Sequence, residues 1–143
     1  MVNAVRIKET GGPEVLQLQE VELESPGAGM VTVRNHAIGL NFIDTYHRSG
    51  LYPLGLPTGL GMEGAGVVEA VGEGTELSVG DRVVYFAAGF GAYSEALNLP
   101  ASRLVVIPDA IDFETAAAVA LKGATTEYLL QRTYPLQAGE TCL

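Results

Sequence analysis

Between Gly39 and Tyr52 the chain reads GLNFIDTYHRSGLY, and Gly61 to Gly66 reads GMEGAG. Three groups in the first stretch are ready hydrogen-bond donors: the Asn41 amide and the phenols of Tyr46 and Tyr52. Donors of this kind stabilise an oxygen that gains negative charge. Each also has a structural reading. Asn41 can cap a helix, with Asp44 three positions on completing a capping-box-like pair. Phe42, Ile43 and Tyr46 fall at helical spacing, so one or two of them must enter a core. Tyr52 stands in a glycine-flanked loop, where an aromatic is either a lid over a ligand or ordinary packing. His47 has no carboxylate or serine partner at readable spacing, which argues against a catalytic histidine. Cys142 is the single cysteine, so neither a disulfide framework nor a cysteine-built zinc site can form within the chain.

The elements that must position these residues are strands early and helices late. Ala4 to Lys8, Val15 to Leu23 and Met30 to Ile38 alternate apolar and polar residues. In the third run Val31 and Val33 share one face, and Thr32, Arg34 and His36 the other, so His36 reads as solvated. The phase slips between Leu18 and Val21, which predicts a bulge near Gln19 and Glu20. Phe42 to Ser49 reads as a short helix closed by Gly50, followed by a Gly/Pro-rich loop from Leu51 to Gly61. Further strands are expected at Ala65 to Val71, Arg82 to Phe86, Ala92 to Leu97 and Leu104 to Val106, with turn signals between them. Asp112 can cap a helix through Ala116 to Leu121. Gly123 is expected to break or bend it before a second helical stretch from Thr125 to Arg132. In that position the glycine allows close approach of backbone to a ligand or of one helix to another. Pattern alone supports an all-β or α+β domain.

The 143 residues, 48% of them hydrophobic, suffice for one domain with a real core. A net charge of -9 and eight scattered cations leave no basic stripe for a phosphate backbone, so nucleic acid is not an expected partner. No apolar run reaches the roughly 18 to 20 residues that span a bilayer. Met1 to Lys8 lacks a signal-peptide layout, so the expected location is the cytoplasm and no membrane partner is expected.

The two opening segments, with GGPEVLQ (Gly11 to Gln17), VGDRVVYF (Val79 to Phe86), GAYSEALNLPASRLVVIP (Gly91 to Pro108) and LKGATTEYLL (Leu121 to Leu130), resemble the quinone oxidoreductases of the medium-chain dehydrogenase/reductase superfamily. These are the zeta-crystallin-like NADPH:quinone reductases, and the resemblance runs over almost the whole chain. It implies a mainly β, α+β fold: a GroES-like, partly open β-barrel with late helices. It also implies that residues 1–134 are the N-terminal part of the catalytic domain. Residues 135–143 would start the linker and first strand toward a nucleotide-binding domain, with the dinucleotide-binding half lying outside this sequence.

The resemblance also speaks to the chemistry. The zinc-dependent alcohol dehydrogenases of the superfamily hold their catalytic metal partly by a cysteine at the start of the short helix and a histidine before the glutamate of Gly-His-Glu. This chain has Asn41 and Met62 at those places, with Glu63 retained, and an amide and a thioether are not normal zinc ligands. Glu63 is either a remnant of that motif or a strand-entry residue with a backbone hydrogen bond. The implied reaction is zinc-independent hydride transfer from NADPH to a quinone or another conjugated carbonyl. By the same resemblance Asn41, Phe42, Ile43, Asp44, Thr45 and Tyr46 lie along the cofactor, with Thr125 and Tyr128 as further cofactor contacts. Asn41, Tyr46 and Tyr52 are the substrate-side candidates. A homodimer formed through the nucleotide-binding domain is expected, and the 143 residues alone should bind NADPH weakly and turn nothing over. Two alternatives stay open: an enone or enoyl reductase of the same superfamily, and a non-catalytic binding or structural GroES-like domain.

Overall fold

The computed structural model describes residues 1–142. Strands β1 (Val2–Ile7), β2 (Gln17–Val21) and β4 (Thr58–Gly59) make a three-stranded sheet in the order β2-β1-β4. A second sheet runs β7-β3-β5-β6-β8, from β3 (Met30–Gly39), β5 (Glu63–Val71), β6 (Arg82–Phe86), β7 (Ala96–Pro100) and β8 (Leu104–Val106). Every pairing is antiparallel. The expected mixture of sheet and helix is present, and the barrel takes the form of two open sheets. The sheets meet where Ala4 bridges Ser94, Val5 N–H donates to the Tyr93 carbonyl at 2.7 Å, and the Asn3 side chain donates to Glu95 at 3.0 Å.

Alternation supplies the main core, in which Val31, Val33, Val68, Val83, Tyr85, Ala92 and Leu99 pack together. Helix α1 (Phe42–Ser49) leaves the end of β3, and α2 (Phe113–Glu127) lies across β3, β5 and β6 with Ala116 and Ala117 buried against Ala65 and Ile107. The alanines keep α2 close to the sheet. Asp112 caps α2, its carboxylate accepting the Thr115 N–H at 2.6 Å.

Four expectations are corrected. Five regular pairs join β1 to β2 without a bulge at Gln19 or Glu20. The phase slip there has a simpler cause: β2 is a largely exposed edge strand, so neither face has to be apolar. The irregularities sit instead where β3 meets β5, between Thr32 and Val33 and between Asn35 and Ala37. Thr32 is buried beside Val31 and Val33, with its hydroxyl donating to Asn98 Oδ1 at 2.6 Å. The strand expected at Ala92 to Leu97 begins at Ala96, because the N–H groups of Ala92 and Tyr93 donate to the Gly61 and Leu60 carbonyls and that of Ser94 turns back to the Ala92 carbonyl. Gly123 neither breaks nor bends the chain out of helix: α2 runs through it to Glu127 and continues as a wider π-type turn over Tyr128–Thr133. Past Tyr134, the described tail to Cys142 holds one turn at Ala138 and Gly139, and Leu143, the end of the expected exit strand, lies outside the described residues.

Candidate functional site

Helix α1 begins with two side chains that face inward. Asn41 is the N-cap in extended backbone, and its N–H donates to Asp44 Oδ2 at 3.0 Å, the returning half of a capping box. Asp44 is buried and takes a second hydrogen bond on the same oxygen from the Tyr93 hydroxyl at 2.7 Å, while its Oδ1 has no protein partner. Burial, and after it the bond to this carboxylate, pushes the Tyr93 phenol up, so it stays a neutral donor. At the other end Gly50 closes the helix at φ 85°, a conformation that glycine adopts without strain. Arg48 exchanges hydrogen bonds with Gly11, its carbonyl accepting the Gly11 N–H and its Nε donating to the Gly11 carbonyl.

The Asn41 amide is held by Glu63. Glu63 Oε2 accepts Asn41 Nδ2 at 2.8 Å and Lys122 Nζ at 2.6 Å, and Oε1 accepts the Leu121 N–H at 2.7 Å. The carboxylate is fully buried, whereas the Lys122 side chain is about half exposed. Three donors on one buried carboxylate offset its desolvation, which an isolated buried charge cannot do. Glu63 therefore ties the N-terminus of α1 to the middle of α2, and its neighbour across the strands is Gly39. One turn beyond Leu121, the Thr125 hydroxyl donates to the Leu121 carbonyl at 2.7 Å.

Outward from this buried layer runs an aromatic strip. Phe42 is 74% exposed although it opens a helix, and its ring meets Tyr46 edge-on at 5.3 Å. Tyr46 meets Tyr52 at the same separation, and the Tyr52 N–H donates to the Tyr46 carbonyl, which docks the loop on the helix. Behind them His47 is buried between Tyr52 and Phe90, with Nδ1 lacking a protein partner. Thr125 and Tyr128 are exposed and line a shallow hollow of about 390 Å³ with Phe86, Ala124, Glu127 and Arg132. No residue of α1 lines that hollow.

The sequence-predicted residues thus fall into two groups. Asn41 and Asp44 are buried cap residues, Ile43 and Thr45 are half-buried with the Thr45 hydroxyl returned to the Phe42 carbonyl, and Phe42, Tyr46 and Tyr52 form the strip. Thr125 stands apart on α2 and Tyr128 on the π-type turn after it, and Glu63 with Leu121 links Asn41 to the turn that holds Thr125. Sequence reasoning missed that link. The sequence offers only a local hint, the small residues Gly64, Ala65 and Gly66 after Glu63, while its donors lie far along the chain; a buried carboxylate demands such donors. Among the described residues no group of three or more His, Cys, Asp or Glu side chains converges as a metal site, and no helix is long and apolar enough to cross a membrane.

Comparison with known proteins is consistent with this layout. The chain is 59% identical, over its whole length, to a quinone oxidoreductase of Pseudomonas aeruginosa, of which it covers 45%. It is 43% identical to a 2-haloacrylate reductase of a Burkholderia species, again covering 45%. Its fold superposes with a TM-score of 0.95 on a Pseudomonas syringae quinone oxidoreductase, at 56% identity over 98% of this chain and 44% of the other. The TM-score is also 0.95 for the Escherichia coli quinone oxidoreductase complexed with NADPH, at 48% identity over 96% of this chain and 43% of that one. The chain therefore spans under half the length of the curated relatives it matches. The alcohol dehydrogenase GroES-like domain family matches residues 27–109, the span that holds the whole five-stranded sheet, α1 and Glu63, and the chain belongs to that family.

Proposed function

We propose that this chain is the N-terminal catalytic-domain portion of a zinc-independent oxidoreductase that passes hydride from NADPH to a quinone. The carrying observation is the aromatic strip in which the half-buried Tyr46 joins the exposed rings of Phe42 and Tyr52, on the helix whose N-cap is the buried Asn41. Relatives named quinone oxidoreductase, and the NADPH complex of one of them, support the same reading. Zinc independence rests on donor chemistry: Asn41 and Met62 offer an amide and a thioether where thiolate and imidazole would be required.

The residues present fit one end of such a cofactor. A hollow of about 390 Å³ is at the small end of ligand cavities and suits a nicotinamide-sized group, with the rest of the dinucleotide left to the remainder of the protein. NADPH, when bound, supplies the hydride. Thr125 and Tyr128 line that hollow, and the exposed ring of Phe42, which stands outside it on α1, offers an apolar face to the acceptor. Asn41 has two amide hydrogens, one given to Glu63, so the second is free to donate to the acceptor oxygen as it becomes negative. Tyr46 and Tyr52 add phenol donors and narrow access of water from the loop side.

A second reading, reduction of another conjugated acceptor, is favoured by the 2-haloacrylate reductase relative. Cytoplasmic location and a homodimer built through the remainder of the protein belong to the same proposal. The test is NADPH oxidation by the full-length protein that carries this chain, with 1,4-benzoquinone and with an alkyl enone, with and without a zinc chelator. Chelator-insensitive quinone reduction is expected, with none from residues 1–143 alone. Faster turnover of the enone selects the second reading. Chelator-sensitive activity, or none on either acceptor, overturns the proposal, the latter in favour of a binding or structural domain.

A further inference from the structure

We infer that Glu63 is the positioning residue that sets the Asn41 amide against the acceptor and, through Leu121 and Lys122, sets α2 against the cofactor. The inference rests on the reading of function just given. A carboxylate with no solvent exposure has four acceptor sites and no freedom to change partners without uncovering charge. Here three of those sites are filled, one by α1 and two by α2. An asparagine amide can rotate, and a rotated amide would offer its oxygen, an acceptor, to a forming oxyanion. The bond from Nδ2 to Glu63 Oε2 fixes which end is which. Leu121 lies in the interior of a helix, where its N–H would ordinarily serve α2 itself, and its donation to Glu63 pins the turn whose carbonyl holds the Thr125 hydroxyl.

Gly39 is the steric complement of this arrangement. A β-carbon there would overlap Glu63 Oε2 and lie 2.6 Å from the Ala117 carbonyl oxygen, so the carboxylate occupies its place because β3 ends in glycine. Neither an ordinary strand-entry residue nor a surface ion pair would need that clearance.

The test uses Glu63→Gln, Asn41→Ala, their combination and Lys122→Met in the full-length protein, with stability checked by thermal unfolding. A misplaced reacting group costs up to about a hundredfold, so Glu63→Gln is expected to lower kcat by roughly tenfold to a hundredfold. Asn41→Ala should add less than about threefold in the Glu63→Gln background, since the two act as one unit. Lys122→Met keeps the bond to Asn41 and should raise the KM for NADPH about threefold to tenfold with kcat within about twofold. Without cofactor, proton–nitrogen NMR should show the Leu121 amide and the Asn41 side-chain amide shifting in Glu63→Gln. Independent multiplication of the Glu63 and Asn41 effects on kcat, or unmoved amide resonances, overturns the inference. If Glu63→Gln does not fold, the KM-against-kcat split of Lys122→Met decides, and an unchanged KM overturns it. If the unsubstituted protein reduces no acceptor, the reading of function fails, and the NMR comparison still decides whether Glu63 orients Asn41.

Discussion

Gly39→Ala adds a single methyl group at a position whose backbone is ordinary for alanine, so its cost comes from space alone. The added carbon would lie 2.6 Å from the Ala117 carbonyl oxygen and 2.5 Å from Glu63 Cδ. The Glu63 carboxylate has to leave, and the Ala117 carbonyl, part of the backbone of α2, gives way only if the helix shifts off the sheet. The carboxylate then surrenders the bonds from Asn41, Leu121 and Lys122 together. Breaking a buried pair costs about 3–5 kcal/mol, and the half-exposed Lys122, whose ammonium water can still solvate, argues for the lower end. The expected loss is about 3 kcal/mol, equivalent to roughly 6–12 °C in Tm for a chain of this length. Urea unfolding followed by far-UV circular dichroism measures it, with an unchanged m-value expected if the folded form stays compact. Gly55→Ala is the control: a β-carbon there meets nothing within 4 Å, and its effect should stay within about 0.5 kcal/mol. A Gly39→Ala protein as stable as the Gly55→Ala control would refute the steric reasoning.

Gly123→Ala should stabilise the isolated chain by about 0.5–1 kcal/mol in the same assay, since the residue lies inside α2 and a β-carbon there meets no atom within 4 Å. A loss of stability would mean that the glycine makes room for a packing partner after all. Burial holds the phenols of Tyr85 and Tyr93 above the ordinary value of 10.0, and for Tyr93 the Asp44 carboxylate adds to the shift. Above that value the unfolded chain releases these protons while the folded one keeps them, so stability is full below about pH 10 and falls as pH rises. Unfolding midpoints measured from pH 8 to 11 should decline at the alkaline end, less steeply in Tyr85→Phe. An equal decline in both proteins would exclude Tyr85 as a source.

Local rules were enough for α1, because its cap, its closing glycine and its periodicity lie within ten adjacent residues and the helix forms over the expected Phe42–Ser49. The same holds for β6 and β8, expected and found at Arg82–Phe86 and Leu104–Val106. Where the reading failed, distant partners decided. Ala92 to Ser94 have strand-like composition, yet bonds from Ala92 and Tyr93 to Gly61 and Leu60, and from Ser94 back to Ala92, turn them. Gly123 is a poor helix former by about 1 kcal/mol, which the continuing ladder of a fifteen-residue helix outweighs. Thr32 looked outward until Asn98, 66 residues away, supplied an acceptor for its hydroxyl. The strip Phe42, Tyr46 and Tyr52 was visible as residues, but Glu63 was not visible as the anchor of Asn41. Its donors come from positions 41, 121 and 122, and no spacing rule connects those numbers.

The seam between the two sheets has a consequence for how the protein is made. β1 leaves the ribosome first, yet Ala4, Val5 and Asn3 find their partners at Ser94, Tyr93 and Glu95. At roughly 5–20 residues per second, synthesis of the intervening stretch takes on the order of 5–20 s. For that interval β1 has only β2, and later the two residues of β4, to pair with. Such a small ribbon is marginal in water, so β1 cannot take its full set of native contacts until residues 93–95 have been made.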